Sequence, residues 1–447
     1  GTVPAGAVRA DEILRKAQKH SLWVNRARRK KEYEASHPGR AYGIGFACVQ
    51  KDFGTGAESS FAKVEISPEG RIMLRHTGTE IGTGMSTSQA IACVRSLGSP
   101  ATDLGFAITD WPDLPMKTSG DPYLMSQSDQ DGAQVDPQWT PALASPASAS
   151  NSAFYYTHTT REACRVIFQY GLWPAALALW GSGTGGGQAA PYVVRQEDAR
   201  WEHGLLTANG MQGLSLAQLA AKAHEMGGVV GAVVHGFNRW QWAEAEFPIG
   251  NTTARLAIDG LALCFGEGAA ASAAAQAKSY RAIKRARVYY PPVQRNNAGV
   301  TYYSAMGSLA ELAINLANGE VELLNHHSII ECGNVLSEEL VSGQIQGGIA
   351  MGIGHALYEY LPLYEDGPGN GTWNFNRYHL PRAKEVALWS QSYEVLPPLS
   401  ETDPPKGMAE VVMIPIVGAI VNGVAHAIGH RFSTLPLTPE KIQEALA

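Results

Sequence analysis

Residues 310–324 read AELAINLANGEVELL, in which apolar and polar residues alternate on both sides of Asn318 and Gly319. Asn-Gly is the dipeptide best suited to a type I′ turn between antiparallel strands. Residues 61–75 repeat this plan around a turn at residues 67–70, SPEG. Each of the two stretches therefore predicts a β-hairpin.

Each predicted hairpin leads to a glycine-bearing turn and then to a helical pattern. The turns lie at residues 79–84 and 331–334, and the helical patterns lie at residues 86–97 and 342–358. This repetition predicts an α+β fold with two related halves. We expect an N-terminal helical segment at residues 1–41, a first α+β half at residues 42–230 and a second at residues 231–447.

The rest of the chain adds further predicted elements. These are helices at residues 150–170 and 215–226, a strand at residues 229–234, and long loops at residues 109–150 and 181–190. Residues 235–242, HGFNRWQW, follow the strand. Such an aromatic and polar cluster fits either the wall of a substrate channel or core packing at the end of a strand.

Length and charge narrow the functional classes. The chain has 447 residues, about three times the commonest domain size, so a large core with more than one subdomain is expected. Its formal net charge is −6. The basic cluster at residues 26–31 lies in a predicted amphipathic helix at residues 10–33, where a solvated face or a subunit contact is expected. Nucleic acid is therefore not expected as a partner.

Cysteine spacing and apolar runs exclude further classes. The five cysteines are far apart and form no C-x-x-C pair, so we interpret them as buried thiols and expect no metal site ligated by this chain. No apolar run reaches the ~20 residues that a membrane helix requires. The longest, residues 411–427, is interrupted by Pro415, Gly418, Asn422 and Gly423. We therefore predict no transmembrane helix.

The clearest catalytic candidate is Glu410, within residues 406–415, KGMAEVVMIP. It lies between a glycine turn and a strongly apolar run. Partial desolvation raises the pKa of a carboxyl group toward the range in which it accepts a proton near neutral pH. Glu410 is therefore a candidate general base, and the alternative is a solvated turn residue before a helix.

Two glycine-bearing segments are candidate binding sites for a phosphate-bearing ligand, because backbone N–H groups and the helix dipole attract anions at helix N-termini. The candidates are Gly82, Thr83, Gly84 and Ser86 in the first, and Gly347 and Gly348 in the second. The glycines of the second segment fit either close packing against a neighbour or close approach of a flat cofactor. Gln344 and Gln346 can supply donors and an acceptor to a polar heterocycle.

Five ordered motifs resemble those of the molybdenum hydroxylases, the family of xanthine dehydrogenases and aldehyde oxidoreductases. Residues 77–84, TGTEIGTG, resemble T-E-x-G-Q-G; residues 331–333, ECG, resemble D-C-G; residues 342–354, SGQIQGGIAMGIG, resemble G-Q-x-x-G-G-x-x-Q-G-x-G; residues 407–410, GMAE, resemble G-x-G-E; and residues 435–440, LPLTPE, match the C-terminal ending. There are departures: Thr83 replaces a glutamine, Ala350 and Met351 leave no glutamine before Gly352, and Ala409 replaces a glycine.

The resemblance covers residues 42–447 and implies the C-terminal part of a molybdopterin-binding subunit. The family's preceding half and its iron–sulfur cysteines have no counterpart in this sequence. The implied partners are therefore a chain carrying the N-terminal half of the molybdenum subunit, an iron–sulfur subunit and, as a further option, a flavin or cytochrome subunit. Whether the missing half is a separate chain or a removed segment stays open.

The resemblance also implies the cofactor and the chemistry. Molybdenum is held by a pterin, as molybdopterin or as its cytosine dinucleotide, and electrons leave through iron–sulfur clusters on a partner chain. Glu410 is implied to remove a proton from the metal-bound hydroxyl, and the inserted oxygen comes from water. The implied cofactor contacts come from the glycine segments and glutamines above, together with Gly407 and Ala409.

For the substrate, Phe237 and Trp240 offer an aromatic wall, and residues 378–382, YHLPR, resemble a family segment near the substrate. Tyr378 and Arg382 are therefore candidates, although Arg382 fits a surface salt bridge equally well. A loose resemblance of residues 235–247 to bacterial aldehyde-oxidising members favours oxidation of an aldehyde to a carboxylic acid. The alternatives are hydroxylation of a purine- or nicotinate-type N-heterocycle and a non-catalytic scaffold subunit. The compartment stays open: cytoplasm, periplasm, or a membrane reached through partners.

Overall fold

Both predicted hairpins are present in the computed structural model of the chain. The structure describes residues 3–56, 58–118, 124–133, 135–136, 138–140, 145, 147–181, 194–238, 242–268, 280–289, 297–387 and 390–447. The first hairpin pairs Ser59–Ile66 with Ile72–His76, and the second pairs Asn297–Asn315 with Val321–Glu331. The second hairpin turns through residues 316–320, with Gly319 at φ 75°, so its connection is longer than the predicted two-residue turn.

The elements are as follows in chain order. The strands are β1 (Val3–Ala5), β2 (Arg40–Gly56), β3 (Ser59–Ile66), β4 (Ile72–His76), β5 (Asp103–Gly105), β6 (Arg200–Glu202), β7 (Leu205–Thr207), β8 (Leu214–Ser215), β9 (Val229–Phe237), β10 (Glu244–Ile249), β11 (Thr252–Leu256), β12 (Gly260–Phe265), β13 (Arg281–Ile283), β14 (Arg287–Tyr289), β15 (Asn297–Asn315), β16 (Val321–Glu331), β17 (Leu363–Tyr364), β18 (Gly367–Pro368) and β19 (Ser390–Val395). The α-helices are α1 (Ala10–Lys19), α2 (Ser21–Val24), α3 (Arg26–Ser36), α4 (Met85–Ala92), α5 (Val94–Leu97), α6 (Gln127–Ala133), α7 (Ser152–Ile167), α8 (Trp173–Gly181), α9 (Leu216–Glu225), α10 (Glu338–Leu357), α11 (Ala383–Ala387), α12 (Ile414–Ile428) and α13 (Pro439–Leu446). A π-helical turn (Phe168–Leu172) joins α7 to α8, and a 3₁₀ turn (Val411–Met413) precedes α12.

The chain divides into two compact units. Unit 1 comprises Gly1–Ala5 and Gly54–Tyr302, and unit 2 comprises Gly6–Phe53 and Tyr303–Ala447. The chain passes between the units three times: after β1, within β2 and within β15. Two of these passages lie inside the long strands β2 and β15, whereas the expected boundaries are at residues 41/42 and 230/231. The predicted α+β class is confirmed.

Unit 1 is built on a sheet of strand order β13-β12-β9-β3-β4-β5. Along β3 buried and partly exposed residues alternate, which places Val64 and Ile66 on the covered face. Every residue of β9 is buried, since this strand has a neighbour on both edges and α7 packs against it. The predicted helix at residues 215–226 is α9, which begins with a capping box formed by Ser215 and Gln218.

Unit 2 contains the strand order β15-β16-β19, with β2 also paired to β15. The helices α10 and α12 pack together closely because glycines lie where they meet. A Cβ atom at Gly348 would lie 2.3 Å from Val412 Cγ2, and one at Gly352 would lie 2.0 Å from Ile416 Cγ2. This packing buries one apolar core around the two helices.

The N-terminal segment differs from the prediction of one helix at residues 10–33. His20 adopts an extended backbone conformation and its ring accepts a hydrogen bond from Leu22 N–H, so the helix ends there and α2 and α3 follow. In the basic cluster, Arg29 pairs with Glu311 at 2.6 Å, and Lys30 Nζ donates to the carbonyl oxygen of Ala427. These two cations therefore have partners within unit 2.

Within the described part of the chain, one segment has the length and composition of a membrane span. Val411–Ile428 covers 18 residues with a mean hydropathy of 2.1, and half of it is buried. A core helix of a folded protein has the same composition, and Val412, Ile416 and Ile420 are buried against α10. We therefore describe the segment as the core helix of unit 2.

Candidate active site

Glu410 lies at the junction of a loop and a helix in unit 2. It caps the 3₁₀ turn Val411–Met413, which continues into α12. The apolar residues after it point into the core, and Val411 and Val412 are buried. The Glu410 side chain itself remains 44% exposed. The apolar run therefore anchors the loop without enclosing the carboxylate, which differs from the desolvated setting expected from the sequence.

The turn before Glu410 is fixed to the end of β16. Lys406 N–H donates to Cys332 O at 2.9 Å, and Lys406 Nζ lies 2.8 Å from Glu331 Oε2. A Cβ atom at Gly333, whose φ is 66°, would lie 2.2 Å from Pro404 O, so glycine is needed at this position. The ECG motif thus holds the loop that carries the GMAE motif. Gly407 is buried in this loop, and Ala409 is half-buried.

A lysine not singled out from the sequence contacts the candidate base. Lys51 Nζ, on β2, lies 3.1 Å from Glu410 Oε2 and 3.1 Å from Asp52 Oδ1. Partial burial lowers the pKa of Lys51, but its hydrogen bonds to Asp52 and Glu410 outweigh burial and leave that pKa above its ordinary value. Within β2, Val49, Lys51 and Phe53 are less exposed than Gln50 and Asp52. This alternation appears only in the folded structure, and the sequence around Lys51 carries no signal that marks it.

The first glycine segment, in unit 1, already holds an anion. The Glu80 carboxylate accepts hydrogen bonds from Gly82 N–H at 2.9 Å, Gly84 N–H at 3.1 Å, and both the N–H at 2.9 Å and the hydroxyl at 3.0 Å of Ser86. Partial burial raises the pKa of Glu80, but these donors outweigh it and hold the pKa below its ordinary value. The donors expected to bind a phosphate therefore bind a side chain of the same turn.

Thr83 lies at the tip of this turn, where the family motif has glutamine. Its Oγ1 atom is buried and has no hydrogen-bond partner within the part of the chain that the structure describes. The following helix α4 begins at Met85, which is fully buried. The turn is therefore held by hydrogen bonds to Glu80, and the buried side chain of Met85 fixes its C-terminal end.

The glycines of the second segment, in α10, lie in two different settings: some are closely packed and one is exposed. Gly348 packs against Val412 of the 3₁₀ turn before α12 and Gly352 packs against Ile416 of α12, which accounts for glycine at both positions. Gly347 is exposed, and a Cβ atom there would meet nothing within 4 Å. Gln346, also exposed, donates from Nε2 to Ser342 Oγ at 3.1 Å. The face of α10 that carries Gln346 and Gly347 is therefore open, and the half-buried Gln344 precedes it by less than one helical turn.

A groove of about 570 Å³ runs beside α10 in unit 2. It is lined by Ile345, Gln346 and Ile349 of the helix, by Pro381, and by Tyr393 of β19. Its lining brings a predicted cofactor residue, Gln346, close to residues 378–382, which the sequence connects with the substrate.

Both substrate candidates of that segment contact acidic side chains. Tyr378 donates its hydroxyl to Glu359 Oε2 at 2.6 Å. Arg382 is exposed, and its backbone N–H donates to Glu385 Oε2 at 2.6 Å. Partial burial raises the pKa of Glu385, but hydrogen bonds from Arg382 N–H and His379, with the charges of both side chains, lower it overall. The Arg382 guanidinium thus acts electrostatically on Glu385 from an exposed position.

The aromatic cluster after β9 belongs to unit 1. Phe237 is 2% exposed, and its N–H donates to Asp259 Oδ2 at 2.9 Å. Trp242 stacks on His158 with 3.8 Å between ring centroids. Trp240 lies outside the described residues. For Phe237 and Trp242 the core-packing alternative accounts for the aromatic character of the sequence.

The remaining chemistry-bearing side chains are dispersed. Of the five cysteines, Cys48 is exposed and the other four are buried. Within the described residues, no group of three or more His, Cys, Asp or Glu side chains is arranged to bind a metal ion. Glu410, Gln344, Gln346, Gly347, Tyr378 and Arg382 belong to unit 2, whereas Gly82, Thr83, Gly84, Ser86 and Phe237 belong to unit 1.

The chain is similar to curated proteins over about a third of its length. The xanthine dehydrogenase molybdenum-binding subunit of Escherichia coli is 30% identical over 138 residues, which are 31% of this chain and 18% of that protein. The nicotine 6-hydroxylase large subunit of Paenarthrobacter nicotinovorans is 29% identical over 146 residues, which are 32% of this chain and 18% of that protein.

Solved structures are similar over nearly the whole chain. The reconstituted CO dehydrogenase from Oligotropha carboxidovorans superposes with a TM-score of 0.61 at 15% identity, over 100% of this chain and 46% of that chain. The aldehyde oxidoreductase from Desulfovibrio desulfuricans gives a TM-score of 0.54 at 19% identity, over 99% and 36%. At these identities the similarity shows the fold alone. The chain spans less than half the length of either solved chain.

A family model, the molybdopterin cofactor-binding domain, matches residues 16–120 and 133–387. That match covers well over half of the sequence and contains the TEIGTG, ECG and QIQGG motifs. The resemblance drawn from the motifs is thereby confirmed, and the chain belongs to the molybdopterin cofactor-binding domain family of the molybdenum hydroxylases.

Proposed function

We propose that this chain forms the C-terminal part of a molybdenum hydroxylase subunit in which Glu410 is the general base. The supporting observation is the setting of Glu410: its carboxylate is half-exposed, while the turn before it is fixed by the Lys406 and Glu331 pair. A general base must be accessible to the group from which it removes a proton, and it must be held in position. The described geometry meets both requirements.

The open face of α10 fits a flat cofactor. Gly347 leaves room for close approach, and Gln344 and Gln346 supply amide groups suited to a polar heterocycle. A metal held by its pterin requires no set of protein ligands. The turn at residues 79–86 does not fit a phosphate, because Glu80 occupies its donors. We therefore propose Gln344, Gln346 and Gly347 as the cofactor-binding residues of this chain, with the backbone at Gly407 and Ala409 shaping the loop beside them.

The chemistry divides between the cofactor and this chain. When bound, the molybdenum pterin supplies the Lewis acid and accepts two electrons. Glu410 accepts a proton through its exposed carboxylate and passes it on to water. The loop of residues 404–410, held by Cys332 O and Glu331, keeps that carboxylate from moving away. Iron–sulfur clusters on a partner chain would take up those electrons, and the other half of the molybdenum subunit would complete the assembly.

An aldehyde, oxidised to its carboxylic acid, is the substrate class that we favour from the sequence. Hydroxylation of an N-heterocycle is the second candidate, supported by the names of the relatives, a xanthine dehydrogenase subunit and a nicotine 6-hydroxylase. Turnover of a short aldehyde, a purine and nicotinate by the assembled complex decides between them. The preferred substrate should exceed the others by at least about tenfold in kcat/KM, a difference of about 1.4 kcal/mol.

The test of the base is the variant Glu410→Gln in the assembled complex. We expect its kcat to fall by about 10²–10⁴-fold, the usual contribution of a general base, with molybdenum and pterin contents unchanged. Glu401→Gln, an exposed glutamate of the same connecting loop, is the matched control and should retain activity. Full activity of Glu410→Gln would overturn the proposed role and favour a scaffold subunit.

A further inference from the structure

We propose that Lys51 is a positioning residue for Glu410, holding Oε2 of the carboxylate through an ion pair. This inference rests on the proposed role of Glu410 as the base. Lys51 Nζ lies 3.1 Å from Glu410 Oε2, close enough for a charge-assisted hydrogen bond. Only 28% of the Lys51 side chain is exposed, so water screens this ammonium less than it would a fully exposed lysine.

Lys51 lies near Glu410 because of the direction in which β2 crosses α12. A Cβ atom at Gly43 would lie 1.9 Å from Gly423 O, and one at Gly45 would lie 1.9 Å from Ala419 O. As β2 advances toward its C-terminal end, its contacts therefore move toward the N-terminal end of α12. Glu410 lies just before the N-terminal end of α12. Lys51, further along β2 than Gly45, therefore lies close to it.

A side-chain contact reinforces this crossing. Asn422 Nδ2, on α12, donates to the carbonyl oxygen of Phe46 at 3.0 Å. Because backbone and side-chain contacts both fix β2 on the helix, the position of Lys51 does not depend on its ion pair alone. A lysine on a free loop would lose more entropy on pairing and would orient its partner less.

The charges around the pair are few and can be assigned. Asp52 shares the ammonium, at 3.1 Å through Oδ1. On the two helices packed against the turn at Glu410, the titratable groups are Glu338, Glu339 and His355 of α10 and His426 of α12. His426 accepts a hydrogen bond from Ile44 N–H, and the Ser337 hydroxyl donates to Glu339. Within the described residues, Lys51 is the cation that forms an ion pair with Glu410.

The first experiment measures kcat/KM of the assembled complex as a function of pH. Loss of the ammonium in Lys51→Met should move the acid limb to higher pH by about 0.5–1 unit, because a neighbouring positive charge favours the ionised carboxylate. Lys51→Arg should restore the wild-type limb. Asp52→Asn, the matched control, removes an anion from the same ammonium and should not move the limb upward. An unchanged limb in Lys51→Met would overturn the proposal.

The second experiment needs neither cofactor nor turnover. Glutamate carboxyl carbons are labelled with carbon-13 in the purified chain of 447 residues, and the Glu410 signal is assigned by its loss in Glu410→Gln. Its titration midpoint should lie at higher pH in Lys51→Met than in the wild type. Equal midpoints would overturn the proposal even if Glu410→Gln is inactive. A shifted midpoint together with an active Glu410→Gln would uphold the pair and reject Glu410 as the base.

Discussion

Lys406 Nζ lies 2.8 Å from Glu331 Oε2, and this pair joins the turn before Glu410 to the last residue of β16. Only 4% of the Glu331 side chain and 15% of the Lys406 side chain are exposed. Glu331 also accepts a hydrogen bond from Gly333 N–H at 3.1 Å. Two sequence motifs that are far apart in the chain are therefore connected by one buried ion pair.

We expect Glu331→Gln to lower the free energy of unfolding by about 3 kcal/mol, because removing one partner of a buried pair leaves the other charge uncompensated. Urea denaturation followed by circular dichroism measures the change. Glu322→Gln is the control, since its pair with Arg40 is exposed at the surface and should contribute less than about 1 kcal/mol. Equal losses in the two variants would contradict a buried anchor.

The glycines of α10 give a matched pair of substitutions. In Gly348→Ala the new methyl group meets Val412, so we expect a loss of about 1–3 kcal/mol, the usual cost of overpacking. In Gly343→Ala the methyl group meets nothing within 4 Å, and replacing an exposed helical glycine should stabilise the chain by about 0.5–1 kcal/mol. Thermal unfolding of both variants checks the opposite signs. A stabilised Gly348→Ala would show that α10 and the 3₁₀ turn before α12 are not in close contact there.

Local sequence patterns predicted the hairpins because alternation and turn residues act within one segment. The burial of Val64 and Ile66 follows directly from their alternation in β3. The single helix expected at residues 10–33 is interrupted at His20, whose ring forms a local hydrogen bond that competes with the helix. No local pattern marks the change of unit within β2 or β15, since such a strand carries the same alternation along its whole length.

The sequence could propose only those site residues that lie within a single motif. Glu410 was identified from its own neighbours in sequence. Lys51 was missed because its contact depends on how β2 crosses α12, which no local pattern encodes. The binding of the turn's N–H groups by Glu80 was missed for a different reason. The motif shows the donors and the carboxylate side by side, but they bind each other only once the turn has folded.

Acid should weaken the Glu80 turn in a defined pH range. Partial burial raises the pKa of Glu80, but its hydrogen bonds lower it overall, whereas in the unfolded chain it returns to about 4.3. A depressed folded-state pKa gives stability that is complete above the unfolded-state pKa and is lost as the pH falls through the folded-state pKa. The difference in unfolding free energy between wild type and Glu80→Gln should therefore shrink on going from about pH 5 to pH 3. Urea denaturation at several pH values measures it, and a constant difference would contradict the hydrogen-bonded carboxylate.

Removal of the Glu80 carboxylate should open the turn to an external anion. In Glu80→Ala the N–H groups of Gly82, Gly84 and Ser86 lose their acceptor and become available to phosphate. A ligand that binds only the folded state stabilises it by about 2.7 kcal/mol at a concentration of 100 times its Kd. We therefore expect the melting temperature of Glu80→Ala to rise with phosphate at constant ionic strength, while that of the wild type does not. Glu69→Ala, an exposed glutamate of the hairpin turn between β3 and β4, is the control and should behave as the wild type. A wild-type response as large as that of Glu80→Ala would mean that phosphate binds this turn without displacing Glu80, or binds elsewhere.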